Sequence, residues 1–208
     1  MLARIFILLQ SIDWTKVINI IKGFVITKQS REQVLPIDLR HEKDQFVQSE
    51  IIIFKDFITI NRFSRPGRTR KGVKGIEVHY VASKGKSARN TRTWFELRKG
   101  GKYGFGSTHY CIDLDGAIFQ YIPENEIAYS SGSKTGYLPG IVEKLSRVPY
   151  NNTLSIECCH IEDDGTMTKE TIKGLKIVLV HLLKKYNLTK YYFVFVLINE
   201  ILFCFVAI

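Results

Sequence analysis

Few side chains in this sequence stand where they could do chemistry, and the clearest is His79. It lies in residues 75–83, GIEVHYVAS, which read as a short strand with alternating sides. Ile76, Val78 and Tyr80 face one way, Glu77 and His79 the other. A histidine in an otherwise apolar strand is either a buried residue satisfied by a hydrogen bond or a metal ligand at the floor of a cleft. The strand alone leaves both open. Glu157 is a second ionisable group in such a setting, between Ile156 and Cys158 in a β-rich run over residues 154–161. It is either an inward carboxylate or a solvent-facing residue paired with a lysine. His181 lies off the apolar stripe of its helix and reads as an exposed helix residue.

The elements that must position these groups follow from periodicity and punctuation. Residues 1–27 read as helical, with Val17, Ile18, Ile20, Ile21 and Val25 on an imperfect apolar face. Residues 28–48 are polar and mixed in charge, a linker or loose arm. A strand is expected over 51–60, then a basic loop, NRFSRPGRTRKG, broken by Pro66 and Gly67. Ser87 or Asn90 can cap a helix running to Arg98, closed by Gly100 and Gly101. Residues 108–112 and 117–122 form a hairpin around Asp115-Gly116. The long Gly- and Ser-rich segment 124–147 has the length of a loop that lines a site. Thr168 caps a second helix, with Ile172, Leu175, Leu179, Leu182, Leu183 and Tyr186 on one face.

Beyond Lys190 comes an apolar tail, YYFVFVLINEILFCFVAI. Its length reaches the lower limit for crossing a bilayer, but Asn199 and Glu200 at its middle count against membrane contact. A buried terminal strand or helix, or out-of-frame coding sequence, are the other readings. The expected organisation is an extension and linker over 1–48, one domain over 49–190 and the tail over 191–208.

With 45% hydrophobic residues the chain can build a core of its own. The net charge of +10 is concentrated: residues 62–102 hold thirteen Lys or Arg against Glu77 and Glu96. Such a face suits an anionic partner. No nucleic-acid motif accompanies it and aromatics are sparse between the bases, so nucleic acid is not expected. The four cysteines show no C-x-x-C spacing and no disulfide framework. Adjacent Cys158 and Cys159 point to opposite faces of their strand. The N-terminus is a poor signal peptide, so the export route is not legible.

Four segments together carry a resemblance. NRFSRPG (61–67), KGIEVHYVAS (74–83), GSTHYCIDLDGAIFQYIPENEIAY (106–129) and NTLSIECCHIEDDG (152–165), in this order and followed by a capped helix, resemble the zinc-dependent N-acetylmuramoyl-L-alanine amidases. That family includes phage lysozyme-type amidases and peptidoglycan recognition proteins. The likeness covers about two thirds of the chain and is nearest to Gram-positive endolysins and autolysins. It implies an α/β fold, a central mixed sheet flanked by helices. It implies a wall-located hydrolase that cleaves the amide between N-acetylmuramic acid and the L-alanine of the stem peptide. Muropeptide is then the substrate, and anionic wall polymers explain the basic face.

The resemblance makes His79 the first zinc ligand and Glu157 the acidic residue beside the metal. A catalytic zinc holds three protein ligands and one water, lowers that water's pKa and polarises the amide. The carboxylate can shuttle the proton to the leaving amine. His109 matches a family position that supports the fold. Three positions depart from the pattern. Thr108 stands where some branches carry tyrosine, and Ser130 where a histidine often follows the aromatic residue. The family's second and third ligands come after the last helix, but here no histidine follows His181 and Cys204 lies in an apolar run. The expectation is a member that ends its family pattern before those ligands, with impaired zinc binding and activity. A peptidoglycan-binding module without hydrolysis is the alternative.

Overall fold

In the computed structural model the described residues are 51–132, 142–143, 145–188, 191–195 and 203–207, all within a compact unit spanning Glu50–Ile208. The helical and linker readings of residues 1–48 fall outside them.

The frame is a mixed sheet. Its strands are β1 (Ile53–Lys55), β2 (Gly75–Tyr80), β3 (Tyr110–Ile112), β4 (Ile118–Gln120), β5 (Thr153–Cys158), β6 (Tyr191–Phe195) and β7 (Phe203–Ala207), in the order β1-β4-β3-β5-β2-β7-β6. β5 is central and runs parallel to both neighbours, β3 and β2. β3 and β4 form the expected hairpin. Its turn bonds Asp113 N–H to the Ala117 carbonyl at 2.9 Å, and Gly116 takes φ +84°, which a side chain would resist. The strand expected over 51–60 is shorter than its pattern. Only Ile53–Lys55 pairs with β4, although Asp56 and Ile58 still donate to Gln120 and Tyr121. In the apolar tail the described backbone is strand: β7 meets β2 antiparallel at Ile76–Ala207, and β6 pairs with β7. No described helix is long and apolar enough to cross a membrane.

Alternation in β2 and β5 divides the sheet into two unlike faces. Ile76, Val78, Leu154, Ile156 and Cys158 turn to one side and pack with Tyr110 and Ile112 against Leu175, Val178, Leu179, Leu182 and Leu183 of α2 (Lys169–Lys185). Each fully buried aliphatic side chain there contributes about 1.5–3 kcal/mol. Thr168 caps α2 by accepting from Thr171 N–H. The helix start is also pinned to the hairpin, since Thr168 and Thr171 hydroxyls donate to the Leu114 and Asp113 carbonyls at 2.7 and 2.9 Å. Gly174 lets the two backbones touch: a Cβ there would lie 2.4 Å from the Gly116 carbonyl oxygen.

A second apolar cluster includes Ile58, Val81, Cys111, Tyr121, Ile122 and Cys159, and it takes in Ala88 and Phe95 of α1 (Ala88–Leu97). Ser87 and Asn90 close a reciprocal capping box at the N-terminus of α1. The Ala88 N–H is taken by Asp113 Oδ1 at 3.0 Å. Gly101 ends the run in the left-handed conformation, as the sequence led one to expect.

Candidate functional site

The face of the sheet away from α2 is polar at its centre. His79 on β2 and Glu157 on β5 are direct partners across the two parallel strands, and Cys111 on β3 is the partner of Glu157 on the far side. Partners in register present their side chains to the same face. The two residues singled out in the sequence are therefore side by side, separated only by the inter-strand spacing.

Glu157 is half-buried, but its Oε2 is shut off from solvent without a hydrogen-bond partner. Burial pushes this carboxyl up to about 7, and the nearby His79 only partly offsets that. A carboxyl with such a pKa is poised to give and take protons near neutrality.

Glu77 is a participant to which the sequence reading assigned no role, although its position two residues before His79 on the same face was a signal. It accepts from Thr153 Oγ1 at 2.7 Å, Ser131 Oγ at 2.9 Å and Ser130 Oγ at 2.8 Å. His79 Nε2 lies 3.5 Å from Glu77 Oε2. Burial alone would lift the Glu77 pKa, but the His79 contact and charge, with the Thr153 and Ser130 hydroxyls, hold it below the usual value. Burial likewise works against protonated His79. The Glu77 hydrogen bond and the charges of Glu157 and Glu77 outweigh it, so the imidazole is raised. Ser130, the departure from the family's histidine, thus ties the segment after Tyr129 to β2.

Behind this row His109 is a fold residue in its bonding. Ser155 N–H donates to its Nδ1 at 3.0 Å, leaving Nε2 to donate to the Glu126 carbonyl at 3.1 Å. Burial and the Arg70 guanidinium push its pKa well down. Thr108 commits its hydroxyl to the Tyr110 carbonyl and Ser155 Oγ at 3.2 and 3.1 Å. Cys111 and Cys159 lie with sulfurs 3.9 Å apart, and burial pushes the Cys111 thiol well up, so it is no nucleophile. Cys158 turns to the α2 side. His181 is half-buried rather than exposed, in a groove with Lys55 and Glu124 on the far side of the sheet.

The structure also disperses part of the basic segment. Arg70 is buried, donating to the carbonyls of Thr153, Glu124 and Glu126. Arg65 pairs with Glu126, Arg92 with Asp56 and Glu96, Lys99 with Glu96, and Lys84 with Asp163. Arg98 spends its guanidinium on loop carbonyls. Arg62, Arg68, Lys71, Lys74, Lys86, Arg89 and Lys102 remain exposed.

A mixed sheet with helices on both faces and an imidazole–carboxylate pair on adjacent parallel strands defines an amidase-type α/β domain. The chain belongs to the N-acetylmuramoyl-L-alanine amidase family, whose sequence profile matches residues 68–199. It is 35% identical over 145 residues to the N-acetylmuramoyl-L-alanine amidase CwlL of Bacillus licheniformis, covering 66% of this chain and 37% of that protein. It is 32% identical over 144 residues to the N-acetylmuramoyl-L-alanine amidase BlyA of Bacillus subtilis (strain 168), again over 66% of this chain and 37% of that one. The chain therefore spans little more than a third of the length of these curated relatives. The solved structure of PlyL shares the fold, with a TM-score of 0.50 and 22% identity over 66% of this chain and 76% of that one.

The family is generally zinc-dependent. The described residues do not complete such a site. Among the described residues no group of three His, Cys, Asp or Glu side chains could hold a metal, and a catalytic zinc needs three protein ligands. Beyond Leu188 the sequence offers only Glu200 and Cys204 as donors.

Proposed function

We propose that this domain is a peptidoglycan hydrolase of the muramoyl-L-alanine amidase type. It acts at the bacterial cell wall, and its hydrolysis is weakened by an incomplete zinc ligand set. The observation that carries the reading is the His79–Glu157 pair, in register on the polar face of the sheet, with a buried carboxylate oxygen that has no partner. In this reading Glu157 accepts a proton from the water that attacks the amide carbonyl and returns it to the departing L-alanine amine. His79 is the imidazole through which the domain would meet a metal, with Glu77 at its back. Among the described residues the ligands that would hold zinc are not assembled. Muropeptide is the substrate class. The cations left exposed suit anionic wall polymers.

A second reading is favoured by that same incomplete donor set: a module that grips muropeptide without cutting it. Two measurements on the purified chain separate them. Elemental analysis should find zinc well below one ion per chain, and near-stoichiometric, tightly held zinc would overturn the impairment. Dye-labelled walls then divide the functions. Slow, zinc-stimulated release supports the hydrolase, whereas retention on walls with no release at any zinc concentration supports the binding module.

A further inference from the structure

Next to the Glu77 and His79 side chains runs a row of aromatic rings, three of them exposed. It starts at Tyr129, the neighbour of Ser130 and so of the Glu77 hydrogen bond. The Tyr129 ring meets Phe105 at 5.3 Å, and Phe105 meets Phe63 at 5.2 Å between centroids. Phe63 packs so closely on Gly101 that a Cβ there would lie 2.7 Å from the ring. Two residues beyond Gly101 is Tyr103, whose ring lies 4.7 Å from Trp94.

Burial does not explain three of these rings. Phe105 is 55% exposed, Trp94 42% and Tyr103 40%. Nor is their loop slack. Arg98 lies over Trp94 at 5.1 Å and donates to the carbonyls of Tyr103 and Phe105 at 2.7 and 3.0 Å, holding the turn between them. Exposed cations edge the row. Arg68 lies over Tyr129 and Arg62 over Phe63, each at 5.8 Å, and Lys102 over Tyr103 at 5.4 Å. From residue 97 to residue 112 there is no acidic side chain.

An exposed aromatic strip held rigid and bordered by positive charge matches a polymer with apolar ring faces and negative substituents. We propose that this strip is an extended subsite for the glycan strand of peptidoglycan. Amino-sugar faces lie on Phe105, Phe63 and Tyr103, and stem-peptide carboxylates meet Arg62, Arg68 and Lys102. The strip begins at Tyr129, next to the Ser130 that donates to Glu77, so one strand could reach both. The proposal rests on the amidase reading of the His79–Glu157 pair, and it adds that polymeric substrate is held at more places than a single muropeptide.

The test compares the wild-type chain with the double variant F105A/Y103A, whose side chains are exposed enough for the fold to tolerate their loss. Two ligands are used: insoluble peptidoglycan stripped of phosphate polymers by acid, and a soluble monomeric N-acetylmuramoyl peptide. The expected result is an affinity for stripped walls lowered about tenfold or more, with monomer affinity unchanged. Equal affinity of variant and wild type for stripped walls overturns the proposal. So does a wild type whose wall binding vanishes with the phosphate polymers, since the strip would then serve those polymers. A wild type that binds neither ligand overturns the amidase reading itself, and the subsite with it.

Discussion

At the scale of single residues, the pair in register makes two demands on experiment. Glu157→Gln keeps the shape and removes the proposed proton carrier. Whatever dye release the chain supports should fall by about 100-fold or more, while retention on walls stays as it was. The second demand concerns pH. The folded state holds the Glu157 proton up to about 7, whereas the unfolded chain releases it near the ordinary carboxylate value of 4.5. Between those values the native state binds more protons than the unfolded one, so stability falls as pH rises. His79, raised in the folded state, acts in the same direction above its ordinary value. Glu77, lowered by its partners, acts oppositely, and its stabilisation is lost only on acidification below about 4.5. Urea unfolding of the metal-free protein from pH 5 to pH 8 should show a loss of about 2 kcal/mol, after discounting for the part of Glu157 that meets solvent. Most of that slope should disappear in Glu157→Gln. A flat profile in the wild type would mean that Glu157 is solvated.

At the scale of elements, the contact between α2 and the β3–β4 turn is the most exacting joint. Gly174 is a poor helix residue, and alanine there should raise helix propensity by about 1 kcal/mol. The added Cβ would instead strike the Gly116 carbonyl and Ile112 Cγ2, at 2.4 and 2.8 Å. Gly174→Ala should therefore destabilise by about 1–3 kcal/mol, read as a lowered thermal midpoint. This joint was not legible in the sequence, because a glycine in a helical pattern carries no apolar signal. What was legible depended on side-chain period and punctuation: the two faces of β2, both helix caps, the Asp-Gly hairpin, and the opposed directions of Cys158 and Cys159. The stripe of α2 was read nearly right, but Val178 is fully buried where Ile172 is only partly so. Arg70 misled for a physical reason. A guanidinium in a Gly- and Arg-rich loop looks solvated, yet its donors can satisfy several backbone carbonyls at once and so travel inside. The hydroxyls on Glu77 come from residues 53 to 76 positions away, a distance over which local pattern has nothing to report.

At the scale of the molecule, charge and topology carry the consequences. Once six cations of the basic segment are accounted for by buried or paired partners, its surface field is weaker than the sequence count suggests. The seven exposed cations outside these pairings should still make wall retention salt-sensitive. Charge reversal at Lys71 and Lys74 together should flatten the dependence of wall retention on sodium chloride without altering affinity for a monomeric muropeptide. An unchanged salt profile in that double variant would remove anionic wall polymers from the account. β5 has the larger consequence. It fits between β2 and β3, strands that leave the ribosome some 40 to 75 residues before it does. Until residue 158 has emerged, a nascent chain has an imidazole on one strand and no carboxylate to face it. Long-range pairing of this kind forms late. The imidazole and the carboxylate are therefore brought face to face only once β5 has been made and inserted between its two older neighbours, with β6 and β7 still to follow.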